Sequence, residues 1–356
     1  MKPKTILVTG AAGFIGSHLV LRLLKTDPGC SIVGIDNLNP YYDVSLKEYR
    51  LSQIARQASG AADGRWQFIR GSIADGALIR QLFAETRPDI VVNLAAQAGV
   101  RYSITNPDAY IESNLTGFYN ILEACRHSYD GGAAGVEHLV YASSSSVYGA
   151  NRKVPYSTGD PTDSPVSLYA ATKKANELMA HAYSKLYDIP STGLRFFTVY
   201  GPAGRPDMAY FSFTDRLRRG ETIQLFNYGH CKRDFTYIDD AVEGVVQVMG
   251  RPPRRQTGPD GLPVPPAMVY NIGNSHPESL LDFVTILQQQ LVQAGVLPQD
   301  DDFASHHQLV PMQPGDLPVT FADTSGLQAD FGWKPDTSLR TGLRRFAEWY
   351  RDFYQL

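Results

Sequence analysis

Residues 7–20 read LVTGAAGFIGSHLV, an apolar run that ends at Thr9, meets Gly10, Gly13 and Gly16, and then takes up helical spacing. In a strand-turn-helix unit the first glycine permits the tight turn and the second lets backbone approach a pyrophosphate. The third lets helix and strand pack closely. The spacing predicts a helix over 14–25, so Phe14 and Ile15 stand in its first turn, where backbone N–H groups and the helix dipole face negative charge. Asp36 closes the next apolar run twenty residues after Gly16, where a carboxylate can accept hydrogen bonds from the ribose hydroxyls of an adenosine. That carboxylate would repel a 2′-phosphate, and the DNLNP segment (36–40) offers no adjacent arginine to hold one, so NAD is expected rather than NADP.

Outward from this unit, short β-branched runs alternate with longer stretches of helical period, the pattern of a parallel sheet with crossover helices. Strands are expected at 5–9, 31–36, 66–70, 89–95, 138–143 and 192–197, with helices at about 14–25, 107–128, 168–187 and 239–250. After residue 198 the rhythm loosens. The proline-rich 251–267 reads as a surface excursion, and MVYNIG (268–273) as a strand returning to the main sheet. Helices near 279–294 and 339–353 belong to a smaller lobe. The fold class expected is α/β: a Rossmann-type doubly wound parallel sheet with a smaller C-terminal substrate-binding lobe. Residues 1–198, with a returning segment of about 236–275, form the first domain, and 199–235 with 276–356 the second.

Composition narrows the function. The chain has 356 residues, 43% hydrophobic and 19% charged, with a formal net charge of −3. It therefore lacks the basic field that gathers nucleic acid or an anionic membrane surface, and a small ligand is expected. Three scattered cysteines (Cys30, Cys125, Cys231) form no CxxC and no metal spacing, which points to a reducing cytoplasm and no metal site. The N-terminal apolar run is interrupted by glycines and a histidine, unlike a signal peptide, and no run reaches the roughly 18 apolar residues of a membrane helix.

The chemistry concentrates in SLYAATKKANE (167–177) and ASSSSVYG (142–149). Tyr169 and Lys173 are four apart, so on a helix both reach one ligand. For a phenol to act as a base near neutrality, its pKa must fall by roughly 3 units from about 10, which is about 4 kcal/mol. One ammonium at about 5 Å and an effective dielectric of about 20 supplies roughly 3 kcal/mol, and an oxidised nicotinamide ring can supply much of the rest. Ser144, Ser145 and Ser146 fall just past a central strand, at the carboxyl edge where open α/β sheets bind ligands. A hydroxyl there can bridge a reacting alcohol and the phenolate. Four serines could equally solvate a turn. There is no GxSxG, so a hydrolase triad is not indicated.

These segments, together with NLAAQAGVRYS, NLTGFYNILEAC, LRFFTVYGPAGRPDMA, RDFTYIDD and QPGDLP, resemble the extended short-chain dehydrogenase/reductases over nearly the whole chain. Within them the likeness is to the NAD-dependent nucleotide-sugar epimerases, most of all those acting on UDP-glucuronate. The resemblance implies that Tyr169 is the base, Lys173 binds the nicotinamide ribose and lowers the phenol pKa, and Ser144 is the hydroxyl partner. It implies a cofactor site of Gly10, Gly13, Phe14, Ile15, Gly16, Asp36, Asn37, Asn39, Ser72, Ile73, Leu94, Ala95, Ala96, Asn114 and Phe196, besides Tyr169 and Lys173. It further implies a UDP-sugar site of Ser145, Ser146, Thr198, Arg205, Gln224, Phe226, Arg233 and Asp316.

Dehydratases of this kind carry an acidic pair after the serine, where this chain has Ser145 and Ser146, so elimination lacks its acid and epimerisation is expected. Arg205 and Thr198 match the uronate-binding positions, and UDP-glucose 4-epimerase is the nearest alternative. A non-catalytic regulatory protein would have lost the tyrosine and lysine. Ser72 replaces an aspartate frequent in relatives, and Ala203 a tryptophan. By resemblance, helices 107–128 and 168–187 imply a homodimer.

Overall fold

A computed structural model describes residues 4–59, 64–300, 302–312 and 318–356. The main sheet is built from strands β1 (Lys4–Thr9), β2 (Cys30–Asp36), β3 (Trp66–Arg70), β4 (Ile90–Asn93), β5 (His138–Ser144), β6 (Ser191–Phe196) and the segment Ala267–Ile272. Their order is Ala267–Ile272, β6, β5, β4, β1, β2, β3. β1 pairs in parallel with β2 and β4, as do β2 with β3 and β4 with β5. The chain thus starts in the middle of the sheet and winds outward both ways, as the doubly wound pattern requires. Residues buried on both faces, such as Leu7, Val91, Val92, Leu139 and Val140, explain why the central strands read as unbroken apolar runs rather than as alternation.

Helices α1 (Phe14–Thr26), α2 (Ser45–Ser59) and α3 (Gly76–Thr86) connect the first four strands. Only α1 is foreseen by the glycine reading; α2 is polar and buries just Leu46, Lys47, Arg50 and Ile54, which leaves little apolar period to find. The helix expected over 107–128 is broken instead into Asp108–Tyr110, a π-helical stretch Ile111–Thr116 and Gly117–His127. The strand expected over 89–95 stops at Asn93. There the Thr9 hydroxyl donates to Asn93 Oδ1 at 2.7 Å and accepts from Ala95 N at 3.0 Å, drawing the chain into a loop.

Two compact units divide the chain. Unit 1 is 1–151, 161–195 and 242–270, and unit 2 is 152–160, 196–241 and 271–356. The division differs from the expected boundaries at 152–160. Tyr156 N donates to Phe321 O at 2.7 Å, Asp323 N donates to Tyr156 O at 2.9 Å, and the Asn271 amide also donates to Tyr156 O, all inside unit 2.

Unit 2 holds a three-stranded sheet, Pro277–Ser279, Lys232–Tyr237 and Thr198–Tyr200, and a parallel pair, Ile223–Leu225 with His307–Leu309. Its core is aromatic. Phe235 stacks on Phe283 with centroids 4.5 Å apart, and Phe211 packs on Phe346 and Tyr350. The fully buried Asp234 accepts backbone N–H groups from Asn274, Ser275 and Ala322, which fixes the loop after Ile272. The proline-rich excursion carries a small hairpin, Gln256–Thr257 against Pro263–Val264.

Candidate active site

In unit 1, Gly10 has φ +69°, and a Cβ there would lie 2.8 Å from Ala95 N. A Cβ on Gly16 would lie 2.1 Å from Gly10 O. Both glycines are therefore required by close backbone approach. α1 opens at Gly13 with no side-chain cap and no acidic residue in its first turn. Its leading N–H groups and positive dipole end suit an anion, as a dinucleotide pyrophosphate is. The side chains of Phe14 and Ile73 are buried, and Ile73 belongs to the core against Phe118, so those two residues offer backbone rather than side chain.

Asp36 ends β2 and is 8% exposed. Its Oδ2 accepts from Ala12 N at 3.1 Å and its Oδ1 from Leu38 N at 2.9 Å, which aims the carboxylate and leaves each oxygen a second lone pair for a ribose hydroxyl. The tertiary fold adds what the linear neighbourhood lacks. Lys47 Nζ stands 4.0 Å from Asp36 Oδ1 and donates to Asn39 O and Oδ1 at 3.0 and 2.8 Å. Burial pushes the Lys47 ammonium pKa down, opposed by Asp36 and reinforced by Arg50. Arg50, 1% exposed, donates to Ala12 O at 3.0 Å and to the Tyr42 hydroxyl at 2.6 Å. A cation, Lys47, thus lies beside the acid in space although no arginine lies beside it in sequence. Asn37 is exposed and its Oδ1 accepts from Asn39 N. The Ser72 hydroxyl accepts from Ala74 N and so closes a local turn.

Leu94, Ala95 and Ala96 form the half-buried loop after β4. Asn114, 1% exposed, sits in the π-helical stretch. Its Oδ1 accepts from Gln97 N at 2.8 Å and its Nδ2 donates to Gln97 O and to Thr172 Oγ1. Both amide donors are therefore taken by protein, and the side chain braces the loop after β4 to the helix Leu168–Tyr187. π-bulges commonly mark such positions.

That helix begins at Ser167, whose hydroxyl accepts from Ala170 N at 3.1 Å, a standard N-cap that places Tyr169 and Lys173 in the first two turns. Tyr169 is half-buried, its ring 6.0 Å from that of Tyr110. Lys173 is 3% exposed and donates to Ala142 O at 2.8 Å. Burial pushes its pKa down to about 8. The strand that supplies Ala142 also ends in Ser144, whose Oγ accepts from Ser146 N at 3.2 Å and caps the turn Ser145–Tyr148. Tyr169, Lys173 and the serines are thus joined through one helix and one strand end. Ser144 is 7% exposed, while Ser145 and Ser146 are half-buried.

The remaining expected residues lie in unit 2. Phe196 ends β6 and is buried, and Thr198 opens Thr198–Tyr200, half-buried. Arg205 is engaged by its own chain. Its Nε donates to Asp207 Oδ1 at 3.0 Å and its Nη2 to Asp207 Oδ2 at 2.6 Å, so the fork assigned to a sugar carboxylate holds an internal one. Gln224 is exposed and donates to Gln308 Oε1; Phe226 is half-buried. Arg233 donates to Lys232 O at 3.0 Å and Pro318 O at 3.4 Å. Asp316 lies outside the described residues.

A family profile described as the NAD dependent epimerase/dehydratase family matches residues 6–273. The chain belongs to that family. UDP-glucuronate 4-epimerase 4 of Arabidopsis thaliana is 45% identical over 98% of this chain and 76% of its own length. A probable UDP-glucuronate 4-epimerase of Rhizobium meliloti is 42% identical over 98% of this chain and 97% of its own. Among solved structures, UDP-glucuronic acid 4-epimerase from Bacillus cereus, in complex with UDP-glucuronic acid and NAD, superposes with a TM-score of 0.82 at 31% identity. That match covers 98% of this chain and 100% of the other.

Four residues of this epimerase-family chain escape the sequence reading: Lys47, Arg50, Glu177 and Arg195. Lys47 and Arg50 are three apart on α2, a spacing that puts two cations on one face. Glu177 continues the four-residue step from Tyr169 and Lys173. Arg195, in the middle of an apolar strand, is a buried charge that demands a partner.

Proposed function

We propose that the chain is a UDP-glucuronate 4-epimerase that interconverts UDP-glucuronate and UDP-galacturonate by inverting C4 through a transient 4-keto sugar. The observation that carries the reading is a buried Lys173 one helical turn from Tyr169, beside a serine strand end, in a chain alike over its whole length to proteins of that name. NAD, when bound, takes the C4 hydride and returns it to the other face of the sugar.

Tyr169 removes the proton of the C4 hydroxyl as that carbon is oxidised and gives it back on reduction. The Lys173 ammonium favours the phenolate by its charge and holds a ribose hydroxyl. Ser144 hydrogen-bonds the C4 oxygen, where negative charge develops, and Ser145 and Ser146 contact the sugar. Gly10, Gly13, Phe14, Ile15 and Gly16 hold the pyrophosphate. Asp36 holds the adenosine ribose, with Asn37, Asn39 and Ser72 at its border, and Leu94, Ala95, Ala96 and Phe196 line the rest of the cofactor path. In unit 2, Gln224, Phe226 and Arg233, with Asp316, bind uridine diphosphate. Arg205 exchanges Asp207 for the C6 carboxylate, assisted by Thr198. The Arg205–Asp207 pair is one quarter exposed on each side, so the exchange replaces one carboxylate by another at small cost.

Exposed Ile111, Tyr119, Leu178 and Leu186 on the helical segments 108–127 and 168–187 support a homodimer through those helices. Its test is the loss of dimer in size-exclusion chromatography of Leu186→Arg. Among the described residues no helix is long and apolar enough to cross a membrane. The unpaired Cys30, Cys125 and Cys231 support a cytoplasmic setting.

NMR of the products formed separately from UDP-glucuronate and UDP-glucose tests the function. The expected result is UDP-galacturonate from the first and little turnover of the second. Faster turnover of UDP-glucose, spared by Arg205→Ala, would overturn the uronate reading.

A further inference from the structure

Glu177 stands one turn beyond Lys173 on the same face of helix Leu168–Tyr187, and it is 6% exposed. Its Oε1 accepts from Ser143 Oγ at 2.7 Å and from Arg195 Nε at 2.8 Å. Its Oε2 accepts from Arg195 Nη2 at 2.9 Å. Lys174 Nζ lies 3.6 Å from the same Oε2. Arg195, on β6, is 4% exposed, and its guanidinium lies 4.8 Å from the centre of the Tyr148 ring. Three successive residues at the end of β5 are therefore gripped in turn. Ala142 O accepts from Lys173, Ser143 donates to Glu177, and Ser144 caps the turn that carries Ser146. Tyr148, at the far end of that turn, rests on Arg195.

A buried ion pair is weak evidence for stability, since apolar side chains of similar volume often serve as well. The position of this pair suggests another use. It ties the helix bearing Tyr169 and Lys173, the strand end bearing Ser144 and the neighbouring strand into one bidentate fork, with each carboxylate oxygen satisfied. A fork of parallel hydrogen bonds fixes direction as well as distance. We propose that Glu177, held by Arg195, is a positioning residue that sets the register of Ser144 against Tyr169 and Lys173. The inference rests on the epimerase reading above. The Glu177 carboxylate is taken up by Ser143, Arg195 and Lys174, and it acts through them rather than on sugar or cofactor.

The test uses the full-length, NAD-loaded enzyme and three variants: Glu177→Gln, Ser143→Ala and Ser143→Thr. For each, kcat per molecule of bound NAD, KM for the UDP-sugar, NAD content after denaturation and melting temperature are measured. Glu177→Gln should lower kcat per bound NAD roughly 10- to 100-fold, the scale of a misplacement of about 1 Å, with KM changed by less than about 2-fold. Ser143→Ala leaves the ion pair whole and should lower kcat by roughly 10-fold at near wild-type melting temperature. Ser143→Thr, which keeps the hydroxyl, should recover most of that loss.

Wild-type kcat per bound NAD in both Glu177→Gln and Ser143→Ala, with any deficit confined to melting temperature or NAD content, would overturn the proposal; so would a loss carried entirely by KM. Should Glu177→Gln fail to fold, the two Ser143 variants decide. A wild-type enzyme that ignores UDP-glucuronate sinks the functional reading instead, and the variants are then compared on whichever UDP-sugar it turns over.

Discussion

Among the arginine forks that hold carboxylates in the described residues, those of Arg195 and Arg205 are built differently. Arg195 and Glu177, in unit 1, are buried, bidentate and further tied to Ser143 and Tyr148. Arg205 and Asp207, in unit 2, have the same fork geometry but are two residues apart in a loop and one quarter exposed. Burial removes the competing water, so breaking the first pair leaves a charge stranded in a poor solvent, whereas either member of the second can turn to water. One pair fixes geometry; the other can change partners. Under the proposed function, the contrast separates a fork set behind Tyr169, Lys173 and Ser144 from one offered to a sugar carboxylate.

The largest effect needs no damage to either pair. Tyr169→Phe should lower kcat by roughly 10⁴-fold while NAD remains bound, because the proton acceptor alone is lost. A variant with unchanged kcat, measured by product NMR, would remove the base from the scheme. Arg195→Leu should destabilise the protein by about 3–5 kcal/mol, since it leaves the Glu177 carboxylate buried and unpaired. Denaturant unfolding measures this, and a cost under 1 kcal/mol, as an estimate for exposed pairs, would erase the distinction between the two forks.

Next comes pH. Because burial holds the Lys173 pKa near about 8, its positive charge is present below that value and is lost as pH rises through it. kcat should therefore fall on the alkaline side with a midpoint near 8, and Lys173→Arg, which stays charged, should flatten that limb. A limb unmoved by the arginine would assign the titration elsewhere. Smaller again, Arg205→Ala should lower kcat/KM for UDP-glucuronate by roughly 10-fold relative to UDP-glucose, about 1.4 kcal/mol. Last, Asp207→Ala should change stability by less than about 1 kcal/mol and should strengthen uronate binding, because it removes a competing carboxylate. Weaker uronate binding in that variant would mean that Asp207 orients Arg205 rather than competing for it.

The dinucleotide unit was legible because its signals are local. Gly10 turns the chain at φ +69° and Gly16 answers to the backbone of Gly10 six residues earlier, and the alternation of buried strands with helices is a chain-order property. The Tyr169–Lys173 pair was legible for the same reason, as an i, i+4 spacing behind an N-cap serine. The long helix expected at 107–128 was not, since apolar period does not report the extra backbone residue that makes a π-turn and swings Asn114 onto Gln97 and Thr172. The Asp207 carboxylate on Arg205 was not foreseen, because a sequence shows a residue type and not which side chain turns toward it.

The sequence by itself determined the parallel sheet, the glycine turn, the acid that ends β2 and the phenol with its ammonium, because each depends on residues within one or two turns or on strand order. Only the tertiary structure decided which charges meet. Lys47 comes to Asp36, Glu177 takes Arg195 and Ser143, and Lys173 reaches Ala142. Electrostatic strength is set by distance and burial, and packing sets both for residues far apart in the chain.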